Sequence, residues 1–231
     1  MDITTGFDTE SYLAELTRCF NDRADPITAI GQKAYMRNQF DFLGIKAPER
    51  RLIQKPFFEK ATRPPKEKLQ SLLHLLWQKE YREFQYFGQE LMSRYKNQFQ
   101  KGDIECLVFM ISRKSWWDTV DFTATRLVGH YFKKYPAERY AQTELWLDSD
   151  SIWLRRTAIL FQLHYKDETD EALLEKVVVS QLHSEEFFIN KAIGWALRQY
   201  SATNPEWVRG LVGKHPFSAL STREALRKMK N

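Results

Sequence analysis

The apolar residues of this chain recur at intervals of three and four residues, which is the period of an amphipathic α-helix. The stripes fall within residues 69–76, 84–95, 104–111, 174–182 and 189–200. No segment shows the sustained alternation of a half-buried β-strand. Nine Gly and eight Pro in 231 residues are also too few to separate many short strands. The pattern therefore predicts an all-α protein with short turns.

Residue types that cap helices precede several of these stripes. Pro26 follows Asp25, which predicts an N-cap residue and then the first helical position. The same pairing recurs at Asn204-Pro205. A polar run at residues 148–151 offers caps for a third helix.

Large aromatic residues recur near predicted helix starts at an almost constant spacing. Steps of 35, 37 and 35 residues separate four of them: Tyr81, Trp116, Trp153 and Phe188. This spacing accommodates two helices per repeat and is typical of helical-hairpin solenoids, whose units bury their apolar faces by stacking. We therefore expect a repeat array in which one helix of each pair lines a concave surface.

One predicted helix carries a carboxylate on its apolar stripe. At 100° per residue, Asp121 shares a face with Trp117, Val128 and Phe132. Because burying an unpaired charge costs several kcal/mol, Asp121 either borders a cleft or has a strong partner. An acid near the start of a helix can also be stabilised by the helix dipole, but this explanation fits Asp118 better than Asp121, which lies one turn further into the helix.

The next repeat places a guanidinium in a similar position. Arg156 shares a stripe with Ile152 and Ile159. A guanidinium there needs a phosphate, a route to solvent or a carboxylate. The sequence leaves open whether Arg156 binds phosphate or pairs with an acid such as Asp121.

A third helix presents an indole away from its apolar stripe. Trp195 lies on the side that carries Lys191 and Arg198. An indole among cations is suited to contact with a base or a sugar. Packing of Trp195 on the adjacent repeat is the alternative.

Charge and composition narrow the classes of partner only slightly. Lys and Arg total 35 against 30 Asp and Glu, giving a net charge of +5. This balance permits a nucleic-acid partner without requiring one. Two cysteines, Cys19 and Cys106, cannot form a disulfide framework or a tetrahedral zinc site, and we expect both to be buried thiols.

Other types of site and segment have no signal in the sequence. There is no phosphate-binding glycine loop, no metal-ligand set and no Ser-His-Asp arrangement, so we expect neither a metal nor a cofactor. The chain begins without the basic and apolar regions of a signal peptide, and no apolar run is long enough to span a membrane. An intracellular protein is expected.

The segments that carry these residues resemble the HEAT-like-repeat DNA alkylation-repair glycosylases, the AlkD family. The resemblance extends from about residue 13 to residue 228. It is carried by residues 35–45, 48–51, 114–118, 120–121, 152–154, 156, 158–163, 186–189, 191–195 and 197–198. The resemblance implies a right-handed α-α solenoid of HEAT-like repeats, forming a single glycosylase domain over residues 1–231 with a concave DNA-binding face.

The resemblance also assigns roles to residues. Trp117, Asp121 and Trp195 match the catalytic positions of the family, and Arg156 matches its arginine beside DNA. Four further candidates for DNA contact are Lys191, Arg198, Tyr35 and Arg50. For Arg50 an ion pair between repeats is the alternative, and for Tyr35 it is a packed aromatic ring.

The activity implied is that of a monofunctional glycosylase that removes N3- and N7-alkylated purines from double-stranded DNA. A monomer located in the cytoplasm and associated with the nucleoid is expected. A non-catalytic DNA-structure binder of the same family is the main alternative. A protein adaptor that uses Trp117 and Trp195 as anchors is a second one.

Overall fold

The computed structural model describes residues 6–229. The chain divides into two compact units, with the boundary after Gln98. The helices of the first unit are α1 Thr9–Asn21, α2 Pro26–Tyr35, α3 Ala47–Gln54, α4 Lys66–Gln78 and α5 Arg82–Ser93. Those of the second are α6 Asp103–Ser112, α7 Trp117–Phe122, α8 Gly129–Lys134, α9 Arg139–Leu147, α10 Ile152–Leu160, α11 Glu171–Val179, α12 Phe187–Tyr200, α13 Pro205–Lys214 and α14 Ala219–Leu226. Short 3₁₀ turns connect some of them.

The prediction of an all-α chain is confirmed for these residues. Apart from one isolated bridge between Asp41 and Tyr81, residues 6–229 contain no β-structure. Within the second unit α10 packs against α7, α9 and α12, and α12 packs against α14. Such contacts between successive helix pairs are those of a helical-repeat protein. That residues 1–231 act as one domain stays a prediction.

The predicted helix starts are confirmed by the capping side chains. Asp25 accepts the N–H of Ile27 at the start of α2. Asn204 accepts the N–H of Trp207 at the start of α13. Ser151, from the predicted polar run, caps α10.

The aligned aromatic residues also lie at helix starts. Tyr81 and Trp116 directly precede α5 and α7, while Trp153 and Phe188 are the second residues of α10 and α12. The spacing of 35 to 37 residues therefore marks a recurrent structural position.

The expectation for the cysteines is confirmed for one and wrong for the other. Cys106 is buried in α6, and burial raises its pKa to about 12. Cys19 is only half-buried on α1, and its thiol donates to the Glu15 carboxylate at 3.4 Å. An apolar pattern marks which face of a helix is buried, but not how completely a residue at its margin is covered.

The helix that carries Asp121 departs from the uniform α-helix that the sequence predicted. A π-helical segment, Thr123–Val128, separates α7 from α8. Thr125 lies in this segment and its hydroxyl donates to the carbonyl oxygen of Asp121 at 2.7 Å. Such segments are rare and are found frequently at functional sites. Val128 and Phe132 are nevertheless buried as expected.

The loop before α3 folds around a buried carboxylate. Glu83 is 1% exposed and accepts three backbone N–H groups at 3.1, 3.0 and 3.2 Å, from Leu43, Gly44 and Ile45. Burial raises the pKa of Glu83, and these hydrogen bonds oppose the rise. Gly44 has φ 91°, in the left-handed region that a side chain disfavours.

Gly44→Ala is expected to lower the free energy of unfolding of the first unit by about 2–4 kcal/mol. The new Cβ would lie 2.0 Å from the backbone oxygen of Asp25, in addition to the strain of the positive φ. Chemical denaturation measures the loss. Gly31→Ala is the matched control, since nothing lies within 4 Å of its Cβ position. Equal stability of the two variants would contradict the proposed strain.

None of the helices between residues 6 and 229 combines the length and apolar composition that a membrane crossing requires.

Candidate functional site

Helix α7 positions two of the predicted site residues. Trp117 is its first residue, and Asp121 follows four residues later on the same side of the helix. Asp118 lies in the first turn, as predicted for the acid that the helix dipole stabilises. Trp117, Asp118 and Asp121 are all half-buried.

The partner that the sequence required for Asp121 is Arg156. The Nε of Arg156 donates to Oδ1 of Asp121 at 2.7 Å, and Nη2 donates to Oδ2 at 2.9 Å. The side chains are 6% and 16% exposed for Arg156 and Asp121, respectively. Two parallel hydrogen bonds between a guanidinium and a carboxylate fix the geometry as well as the charge of the pair. The ion pair joins α10 to α7 across 35 residues of sequence.

Burial and charge act in opposite directions on the Asp121 carboxyl. Burial raises its pKa above the ordinary value, while the hydrogen bonds and the charge of Arg156 oppose that rise. The nearby charge of Asp118 raises the pKa a little further. Arg156 is therefore the group that favours the ionised form of Asp121 in this buried position.

A cluster of three aromatic rings lies beside this ion pair. The rings of Trp116, Trp153 and Phe188 have centroids 5.1 to 5.6 Å apart. Arg156 contacts the cluster twice, because its Nη1 donates to the Phe188 carbonyl oxygen and its guanidinium lies 5.9 Å from the Phe188 ring. The indole N–H of Trp116 is buried without a hydrogen-bond partner.

The sequence reasoning did not assign these three aromatic residues to the site. Their shared signal was the spacing of 35 to 37 residues, which was interpreted only as evidence for repeats. Equivalent positions of stacked repeats lie side by side, so the same spacing also predicts that such rings meet.

Trp195 belongs to a polar face of α12. At 100° per residue this α12 face contains Phe188, Lys191, Trp195 and Arg198 within an arc of about 80°. Trp195 lies about 10 Å along the helix from Phe188, which is the residue that contacts Arg156. Trp195 is half-buried on this face.

The two cations that flank Trp195 share one carboxylate. Lys191 Nζ lies 3.0 Å from Oε1 of Glu224, and Arg198 Nη1 donates to Oε2 of the same residue. Ion pairing, first with Lys191, lowers the pKa of Glu224. Sequence analysis identified both cations but not Glu224, which belongs to α14.

Helix α14 approaches α12 closely where Gly194 lies. A Cβ on Gly194 would lie 2.5 Å from the Cβ of Glu224. The Ser221 hydroxyl donates to the backbone and side-chain oxygens of Asn190 at 2.9 and 3.1 Å. These contacts fix Glu224 next to the α12 face.

The remaining two candidates, Tyr35 and Arg50, lie in the first unit. Tyr35 ends α2 and is 71% exposed, which does not favour the alternative of a packed aromatic ring. Arg50 is 5% exposed and pairs with Glu90 at 3.0 Å, which is the ion-pair alternative. Its guanidinium also lies 4.8 Å from the Tyr86 ring. Contact of Tyr35 or Arg50 with DNA stays a prediction.

Residues 6–229 contain no group of three His, Cys, Asp or Glu side chains arranged to hold a metal ion.

Fold and site together define a helical-repeat protein with a carboxylate–guanidinium pair between α7 and α10 and with an indole between two cations on α12. The sequence profile of a DNA alkylation repair enzyme matches residues 16–229. The chain therefore belongs to the DNA alkylation repair enzyme family, whose substrate is DNA, and the resemblance stated from the sequence is confirmed at this level.

A comparison of structures agrees with the family. The protein is similar to a structure described as a predicted DNA alkylation repair enzyme from Enterococcus faecalis, with a TM-score of 0.84. The two chains are 35% identical, over 90% of this chain and 97% of the other. Among curated proteins, no match is found.

Proposed function

We propose that the protein is a monofunctional DNA glycosylase that releases N3- and N7-alkylated purines from double-stranded DNA. The observation that carries the proposal is the buried pair of Asp121 and Arg156, with Trp117 on the same side of α7. A carboxylate that is buried and oriented by two hydrogen bonds is suited to stabilising positive charge in a transition state.

The substrate class follows from the groups that the site offers. An N3- or N7-alkylated purine already carries positive charge, so it departs without a strong general acid. As the N-glycosidic bond breaks, the positive charge moves to the deoxyribose. A site with one carboxylate and indole faces matches that requirement.

Asp121 is proposed to act on both the sugar and the water. Its negative charge stabilises the sugar cation, and its oxygens position or deprotonate the attacking water. An ionised carboxylate offers about four lone-pair sites, of which Arg156 occupies two. The remaining lone pairs are available to a water molecule.

The other site residues have supporting roles in the proposal. The indoles of Trp117 and Trp195 stabilise the sugar cation by about 0.5–2 kcal/mol each. Arg156 orients Asp121, and two of its five N–H donors remain for a phosphate beside the lesion. Lys191 and Arg198 contact the DNA backbone.

The proposed reaction is hydrolysis without strand cleavage. None of the three residues with proposed catalytic roles is a lysine, so no covalent imine with the sugar is expected. We further propose that the protein acts as a monomer without a cofactor, and that it works in the cytoplasm in association with the nucleoid.

Base release tests the proposal directly. The purified protein is expected to release 7-methylguanine from a methylated duplex, measured by chromatography of the free base. The abasic product should break only after alkali treatment. An unmethylated duplex of the same sequence is the control.

Two other outcomes would support the alternatives. Salt-dependent DNA binding without release of 7-methylguanine, 3-methyladenine or a bulkier cationic adduct would leave the non-catalytic DNA binder. Absence of both base release and DNA binding would leave the protein adaptor.

A further inference from the structure

Glu224 of α14 offers the cations of the α12 face one negative charge and two acceptor oxygens, as a DNA phosphodiester does. Its Oε1 and Oε2 are bound separately, by Lys191 and by Arg198. The two cations are seven residues apart on α12, with Trp195 between them. A phosphodiester likewise presents one negative charge over two non-bridging oxygens, and Lys and Arg are its usual partners in proteins.

Exposure shows which member of the cluster solvent can reach. The Lys191 and Arg198 side chains are 37% and 20% exposed, whereas that of Glu224 is 11% exposed. The carboxylate therefore lies behind the two cations as seen from solvent. A ligand that approaches the α12 face meets the cations first.

We propose that Lys191 and Arg198 form a binding site for one phosphodiester of duplex DNA, and that Glu224 occupies this site in the free protein and competes with the DNA. The inference rests on the proposed action on duplex DNA. Binding of the phosphodiester brings the backbone next to Trp195, where the proposed reaction needs the sugar. Competition by Glu224 weakens binding to any duplex, damaged or undamaged, and so shortens the time that the protein spends on undamaged DNA.

The test compares Glu224→Gln with the native protein in binding an undamaged duplex. Glutamine keeps the size of the side chain and removes its charge. The slope of log K against log salt is expected to become steeper by up to about 0.9, the contribution of one phosphate. The affinity at about 50 mM salt should rise roughly tenfold, because the steeper slope acts over the whole range from about 1 M down to about 50 mM salt.

Glu175→Gln is the matched control for the loss of one negative charge. Glu175 also binds two basic side chains, Lys214 at 2.7 Å and His215 at 3.3 Å, but it joins α11 to α13. If Glu175→Gln and Glu224→Gln change the affinity and the slope equally, the effect is one of net charge and the proposal is overturned.

A second set of variants assigns the effect to the cations. Lys191→Gln should remove most of the gain when it is added to Glu224→Gln, which a double-mutant cycle measures. Alone, Lys191→Gln or Arg198→Gln should weaken DNA binding and flatten the slope. If neither single variant does so, the proposal fails, even if Glu224→Gln does not fold.

Base release by the native protein is measured separately. A steeper slope for Glu224→Gln without base release would sustain this inference and reject the glycosylase. Base release by the native protein, together with unchanged DNA binding by Glu224→Gln, would sustain the glycosylase and reject this inference.

Discussion

Asp121→Asn is expected to reduce base release from a 7-methylguanine duplex on the order of 10²–10³-fold, with DNA binding retained. Asparagine has nearly the shape of aspartate but lacks the negative charge that stabilises the sugar cation. It also cannot accept a proton from water. The substitution therefore removes the proposed chemistry with little change of shape, and it leaves one acceptor oxygen for the two donors of Arg156.

The rate should be measured in single turnover, with enzyme in excess over the alkylated duplex, so that product release does not limit it. Binding of an undamaged duplex reports whether the fold and the DNA-binding surface are intact. Asp118→Asn is the matched control, because Asp118 is a half-buried acid three residues earlier on α7. A native rate in Asp121→Asn would exclude the proposed role of the carboxylate.

Arg156→Met is expected to destabilise the second unit by about 3 kcal/mol, because it leaves the Asp121 carboxylate buried without its partner. The same substitution should move the acid limb of the pH profile of the base-release rate to higher pH. Burial raises the pKa of Asp121 and Arg156 opposes that rise, so in the variant only burial and the charge of Asp118 act on this pKa, and both raise it. The active, ionised carboxylate then forms only at higher pH.

The pH dependence of stability gives a second measurement on the same variant. A carboxyl whose pKa is higher in the folded than in the unfolded chain binds more protons in the folded state, so stability falls as pH rises. The loss of stability in Arg156→Met should therefore be larger at neutral pH than in mild acid. Chemical denaturation at both pH values measures it.

Arg155→Met is the matched control, since it removes a guanidinium from α10 without taking a partner from Asp121. Arg156→Lys should recover part of the stability, because it restores the charge but not the two parallel hydrogen bonds. An unchanged acid limb in Arg156→Met would show that Asp121 does not set it.

Helices and their starts were predictable because their determinants are local. Asp25 and Asn204 cap α2 and α13 through hydrogen bonds to residues two or three positions away. The buried stripe of α4, from Leu69 to Leu76, follows from rotation of the helix by 100° per residue. Trp117 and Asp121 share a side of α7 for the same reason.

The partners of the charged residues were decided by tertiary packing. Arg156 binds Asp121 across 35 residues of sequence, and Lys191 and Arg198 bind Glu224 across 33 and 26. The sequence had left open whether Arg156 binds a phosphate or pairs with an acid. Periodicity gives the side of a helix on which a charge lies, but not which helix packs against that side.

The sequence by itself therefore determined the all-α class, the helix starts and the spacing of the repeats. The tertiary structure decided that Asp121 is paired, that the rings of Trp116, Trp153 and Phe188 meet, and that a π-helical segment follows α7. The physical reason is the distance along the chain over which each kind of interaction acts. Helix geometry and capping act over about four residues, whereas ion pairs and ring contacts depend on how stacked repeats bring distant segments together.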